Sequence, residues 1–164
     1  MSVDPLTTER LDLPVVTTQI VSAVLAGDLA GLPDGLVAAA GWPTADTVNG
    51  FRVSAGAAVD PDGGARLAVL RATGEVIGDL GWKGGPDGDG VVEIGYGFAA
   101  PSRGQGYGTE AVAAFSAWAL GPGGAAVLTA EVLVHNTASR RLLERVGFTL
   151  DRVERDAVWY RLTG

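Results

Sequence analysis

The chain has 164 residues, enough to bury a core of its own, and one domain over 1–164 is expected. Its formal net charge of −7 argues against nucleic-acid binding, which relies on Lys and Arg to neutralise phosphates, and it favours a cationic substrate through a weak, screened field. Cysteine is absent, so thiol catalysis, disulfides and Cys-ligated zinc are excluded, and no metal site is read. The opening MSVDPLTTERLDL has no basic or apolar leader pattern and no apolar run is long enough to span a bilayer, so no membrane partner and a cytoplasmic location are expected.

In chain order, Arg10 to Val16 reads as a first strand and Thr17 to Ala26 as a helix, with Ile20, Val21, Val24 and Leu25 at helical spacing and Gly27-Asp28 as its stop. Leu29 to Gly41 fits a short helix or a loop equally. Pro43-Thr44 opens a further short helix towards Phe51. Asp60-Pro61-Asp62-Gly63-Gly64 is a turn, followed by strands Arg66–Arg71 and Glu75–Trp82 and a glycine-rich loop from Lys83 to Gly90. Val91 to Ala99 is a strand with Ile94, Tyr96 and Phe98 on one face and Glu93, Gly95 and Gly97 on the other. A glycine-studded turn, Arg103 to Gly108, leads into an amphipathic helix burying Val112, Phe115 and Trp118–Ala119. Ala125 to His135 reads as a central strand covered on both faces. Asn136 caps a helix with Ala138, Leu142, Leu143 and Val146 inward and Gly147 as its stop; Thr149–Arg155 and Ala157–Leu162 close the chain as strands. The sum is one mixed α/β domain without repeat or linker.

The strand-to-helix turn carries the chemistry. A helix N-terminus offers free N–H groups to a phosphate, and glycines let the backbone come close. Gly104-x-Gly106 lacks the third glycine of a dinucleotide fingerprint, because position 109 is Thr109. No Gly-Lys-Ser/Thr ending makes it a P-loop. What remains is Arg103-x-x-Gly106-x-Gly108 on a strand-to-helix turn, or a plain glycine-rich turn in a glycine-rich chain.

These residues resemble the coenzyme A signature of the GNAT superfamily of acetyl-CoA-dependent N-acetyltransferases. Asn136-Thr137-Ala138-Ser139 followed by Gly147-Phe148 is similar to that family's later element. Thr8-Glu9-Arg10-Leu11-Asp12-Leu13, Glu93-Ile94-Gly95-Tyr96 and Thr109-Glu110-Ala111 resemble its RimJ/RimL-like branch. The resemblance covers essentially the whole chain. It implies an α/β (α+β) GNAT fold: a mixed, mostly antiparallel sheet of about seven strands, splayed between the fourth and fifth, with about four helices. It departs from the branch at Ala100, where Pro is common, and at Leu143, where many members carry a Tyr as general acid.

The implied reaction moves an acetyl group from acetyl-CoA to a primary amine by direct attack. The acceptor is either a protein N-terminal amine or a small-molecule amine. A non-catalytic acyl-CoA-binding or regulatory module is the alternative, and the branch suggests a homodimer. For the cofactor, the resemblance points to the backbone of Arg103, Gly104, Gln105, Gly106, Tyr107 and Gly108, the Thr109 hydroxyl, the strand edge at Phe98 and Ala99, and Asn136 and Ser139. One N–H of Phe98 or Ala99 would meet the oxyanion. Glu93 is the first candidate base, with a solvated strand charge as its bland alternative. Glu131 and His135, four residues apart on one strand face, are its rivals. Ser139 is the candidate acid. Arg140 and Arg141 reach coenzyme A phosphates or are solvated, and Trp42, Trp82 and Trp159 line an acceptor cleft or belong to the core.

Overall fold

A computed structural model describes residues 5–55 and 63–164; Asp60 to Asp62 of the expected turn lie outside them. The elements are β1 (Leu11–Asp12), α1 (Thr18–Ala26), β2 (Val37–Ala38), α2 (Ala45–Ala55), β3 (Ala65–Leu70), β4 (Glu75–Trp82), β5 (Val91–Phe98), α3 (Tyr107–Leu120), β6 (Val127–Leu133), α4 (Thr137–Val146), β7 (Thr149–Glu154) and β8 (Ala157–Thr163). The strands form one mixed sheet of order β1-β3-β4-β5-β6-β8-β7, with β2 beside β4.

Local chemistry sets most of these limits. The Thr17 hydroxyl accepts from the Ile20 N–H to cap α1, and Gly27 ends it in the left-handed region. β1 is shorter than expected because Pro14 has no N–H to donate, although its carbonyl still accepts from Leu67. The ambiguous Leu29–Gly41 stretch gives a 3-10 turn at Leu29–Gly31 and the unexpected β2, parallel to Glu75–Val76 of β4. The last helix turns Ala138 to solvent, contrary to expectation, and buries Leu143.

The feature that positions everything else is the junction of β5 and β6. These parallel strands pair only at Val91–Val127, Val92–Leu128 and Glu93–Thr129, then diverge. β4 stays with β5 up to Phe98, and β8 stays with β6 up to Leu133. A wedge therefore opens towards the C-terminal ends of β5 and β6, and α3 and α4 both begin there. The expected splay between the fourth and fifth strands is this gap, which falls between β5 and β6 because the unexpected β2 adds one to the count, in a sheet of eight strands rather than seven.

Two apolar clusters cover the sheet. One packs Ile94 and Phe98 with Val112, Phe115, Ala119 and Leu143 of α3 and α4. The other packs Val69 and Val76 with Ile20, Val24, Trp42 and Phe51 around α1 and α2. On β6 the even-numbered residues are buried, but Glu131 and Leu133 are exposed. This strand is thus covered on one face only at its open end, not on both. No helix of the described residues is long and apolar enough to cross a membrane.

Candidate active site

The turn after β5 is a 3-10 turn, Ala100–Ser102, carrying Pro101 at the place where Ala100 shifts the branch pattern. The Ser102 and Arg103 N–H groups close it by bonding Ala99 O and Ala100 O. The Arg103 main chain therefore offers no free N–H, a correction to the expected cradle. Its side chain folds back instead, donating from Nε to Phe98 O at 3.0 Å. From Gly104 through Gln105, Gly106, Tyr107, Gly108 and Thr109, no N–H finds a partner among the described residues; the next, Glu110 N–H, bonds Gly106 O. No side chain caps α3. Gly104 has φ 77° and a Cβ built there would meet nothing within 4 Å. Uncapped donors, a helix dipole and open space together form an anion cradle. Gly108 serves packing: a Cβ there would lie 2.7 Å from Leu142 Cδ1.

Arg10 completes the cradle, and the sequence reading did not assign it. It donates from Nη1 to Gln105 O at 3.0 Å, pairs through Nε with Glu110 Oε2 at 3.3 Å, and lies 4.2 Å over the Tyr107 ring. One cation from the residue just before β1 thus grips the turn ninety-five residues later. The signal lay in the Thr8–Leu13 segment, but nothing local showed where Arg10 would land.

Main-chain direction along β5 follows from its partners. Glu93 O accepts from Lys83 N–H and Ala99 N–H donates to Ile77 O, so odd-numbered residues face β4. Ala99 N–H is thereby spent, which removes it as an oxyanion donor. Tyr96 and Phe98 turn their main-chain groups into the wedge, and Phe98 N–H remains available there. Asn136 acts as the N-cap of α4, its Oδ1 accepting from Ser139 N–H at 3.1 Å. Its amide nitrogen has no bond among the described residues. The Ser139 hydroxyl bonds the Tyr96 phenol at 2.5 Å across the wedge, and burial raises the Tyr96 pKa above its usual value, keeping the phenol protonated. Tyr96 was missed as a site residue; its phenol stands next to Ser139 while Leu143, at the position where relatives carry Tyr, is fully buried.

The candidate bases separate. Glu93 is ion-paired with Lys83 on the face opposite α3. Glu131 is exposed on the same face of β6, a solvated position that answers its presence in an apolar strand. β6 stops at Leu133, so His135 lies in the following turn, exposed, and does not share a strand face with Glu131. Arg140 is half-buried and tied to the fold, donating to Tyr160 Oη at 3.1 Å and Val134 O at 3.2 Å. Arg141 is exposed. Trp82 packs against Phe115 and Trp118 in the α3 core, Trp42 is buried, and only Trp159 lies half-buried on the open face, beneath Arg152.

The sheet is thus split at one seam, with two helix N-termini at its mouth and uncapped N–H donors on one of them, an arrangement suited to an extended, anionic ligand. The profile of the acetyltransferase (GNAT) domain family matches residues 27–149, and the chain belongs to that family. Over 85 residues it is 33% identical to the uncharacterized N-acetyltransferase YjdG of Bacillus subtilis (strain 168), a match taking in 52% of this chain and 51% of that protein. The chain thus spans about half the length of this curated relative. An acetyltransferase structure from Agrobacterium tumefaciens str. C58 is similar at 26% identity and TM-score 0.68, covering 100% of this chain and 96% of that one. Mycobacterium smegmatis RimJ, solved with CoA-disulfide, shares the fold at 22% identity and TM-score 0.65, covering 98% and 87%.

Proposed function

We propose that the chain is an N-acetyltransferase that moves an acetyl group from acetyl-CoA to a primary amine, as one domain over 1–164. The observation that carries this is the uncapped N-terminus of α3 at the mouth of the wedge, where β5 also presents unpaired main chain. When bound, acetyl-CoA supplies an acetyl thioester, already activated for attack. The N–H groups of Gly104 to Thr109, the Thr109 hydroxyl and Arg10 hold the pyrophosphate. The Phe98 and Tyr96 edge and the Asn136 amide hold the pantetheine arm. Phe98 N–H meets the charge that develops on the acetyl oxygen. Ser139, backed by the Tyr96 phenol, donates a proton to the leaving sulfur. Glu93 and Glu131 stand on the acceptor face to carry the amine's proton to solvent. Glu93 precedes Phe98 by five strand residues, roughly 16 Å of extended chain, so it acts through water. The small-molecule and protein N-terminal amines stay together as acceptors; the open face fits a chain end as readily as a free amine.

Two measurements test the reading. Saturating acetyl-CoA raises the unfolding temperature; no rise would remove the cofactor assignment. Free thiol released in the presence of an amine panel reports turnover, and binding without turnover would make the chain an acyl-CoA-binding module. Glu93→Gln and Glu131→Gln are expected to slow turnover, and His135→Ala to leave it unchanged.

Arg10→Ala is expected to raise the Kd for acetyl-CoA by about three- to tenfold, equivalent to about 0.7–1.4 kcal/mol for a partly exposed cation at a phosphate. Titration at low and high salt checks it: the gap between variant and parent narrows as ionic strength rises.

A further inference from the structure

Asp79 is a carboxylate without a counter-ion among the described residues, placed beside the wedge. It lies in β4 directly opposite Gly97 of β5, a pair with Cα atoms about 5.5 Å apart. Its side chain is on the face of Glu93, opposite α3, because it shares parity with Lys83 and Gly97 along these strands. Two donors converge on one of its oxygens. Trp42 Nε1 donates to Oδ2 at 2.9 Å and the Thr47 hydroxyl to the same atom at 2.5 Å. Oδ1 has no partner among the described residues. No Lys, Arg or His pairs with Asp79 there, and residues 1–4 and 56–62 contain none.

The surroundings keep a space beside it. Gly97 carries no side chain, and a Cβ built there would meet only Thr44 Oγ1, at 3.6 Å. Thr44 is fixed in turn, since it and Thr47 exchange bonds at the start of α2: Thr47 N–H donates to Thr44 Oγ1 and Thr44 N–H to Thr47 Oγ1. The α2 N-terminus therefore aims the Thr47 hydroxyl at Oδ2 and leaves Oδ1 without a donor among the described residues. Burial raises the Asp79 pKa and Asp46 adds to the rise, while the Thr47 and Trp42 bonds oppose it. A partly desolvated charge held without a cation costs stability. Asn would accept the same two hydrogen bonds without that cost, so the charge itself calls for another purpose.

We propose that Asp79 Oδ1 receives the ammonium group of the acceptor and takes its proton, with the residue after Gly97 supplying the Phe98 N–H that meets the acetyl oxygen. One N–H bond of the ammonium breaks, its proton passes to Oδ1, and the electron pair left on nitrogen forms the new bond to the acetyl carbon; the C–S bond of the thioester then breaks, its electron pair leaving on sulfur, which takes a proton through Ser139, and the nitrogen's second proton passes to solvent. The carboxylic acid then returns the proton to solvent along the face where Glu93 and Glu131 lie. This inference rests on the acetyltransferase reading for its reaction, but the ammonium site stands on Asp79 alone.

The test uses Asp79→Asn in the full chain, with phenethylammonium and a short Ala-initiated peptide as probes. Thermal shift is read with acetyl-CoA alone and with each probe alone, against matched potassium chloride. Thiol release is then measured for both acceptors. The variant is expected to fold with an unfolding temperature equal to or above the parent's and to keep the acetyl-CoA shift. The shift caused by the probes is expected to vanish, and KM for the amine that turns over to rise at least tenfold while KM for acetyl-CoA stays within twofold. A probe-induced shift lost in the variant without any acetyl-CoA shift in either protein would keep the ammonium site and remove the acetyltransferase reading. Equal probe shifts or equal amine KM values in parent and variant would overturn the proposal, as would the absence of a probe shift in the parent. Thr47→Val, which removes one donor from Oδ2 and keeps the charge, guards against a folding artefact: it is expected to retain the probe shift, and a loss equal to that of Asp79→Asn would also overturn it.

Discussion

Gly104→Glu is expected to lower acetyl-CoA affinity by about ten- to several-hundredfold while the chain stays folded. The position lies in the left-handed region, where a side chain costs about 1–2 kcal/mol, and its Cβ direction is open. A carboxylate placed there enters the cradle of free N–H groups and repels a phosphate. At about 4 Å that repulsion is worth about 1–4 kcal/mol between the limits of bulk water and a protein surface. Gly104→Gln carries the same backbone strain without the charge. Isothermal titration of both variants separates the two effects, and the Glu–Gln difference shrinks with added salt. Equal affinities for parent and Glu variant would place the phosphates elsewhere.

Phe115→Ala is expected to give the largest loss of stability, about 3–5 kcal/mol. Its ring is fully buried, meeting Trp82 edge-on at 6.3 Å and Trp118 at 5.4 Å between centroids. It ties α3 to β4, and α3 carries the cradle at its other end. Against a total of about 5–15 kcal/mol, the loss is a large share. Urea unfolding followed by tryptophan fluorescence checks it, with the midpoint falling by about 2 M. A loss under about 1 kcal/mol would mean that Trp82 and Trp118 close over the space.

Much of this molecule is legible wherever the information is local. β4 runs over Glu75–Trp82 as alternation and flanking turns predict, and α1 is bounded by its Thr17 cap and Gly27 stop. The glycine turn after β5 is legible as a set of uncapped N–H donors because its glycines and missing cap are read in one short window. What escapes is held by distant partners. β2 is two residues long and exists only because β4 offers unpaired main chain, so no periodicity announces it. Ala99 reads as a free edge until Ile77 O is found to accept its N–H. Asp79 sits in β4 like any alternating polar residue, and its meaning depends on Trp42 and Thr47 from a segment that was ambiguous or only half read. Tyr96 meets Ser139 forty-three positions away. Motif spacing finds the groups that share one turn. It does not find those that a sheet register and a helix entry angle bring together.

The seam between β5 and β6 has a consequence for how the molecule comes apart. Val91–Val127, Val92–Leu128 and Glu93–Thr129 are the rungs that join β1–β5 to β6–β8. Beyond them the two halves of the sheet meet through side chains of α3 and α4. Such a boundary divides a protein into units that open separately. Amide exchange along β6 and β8 is then expected to follow one opening free energy and exchange along β3 and β4 another. A ligand lodged in the wedge touches both units at once, so its binding is read as a merging of two protection levels into one.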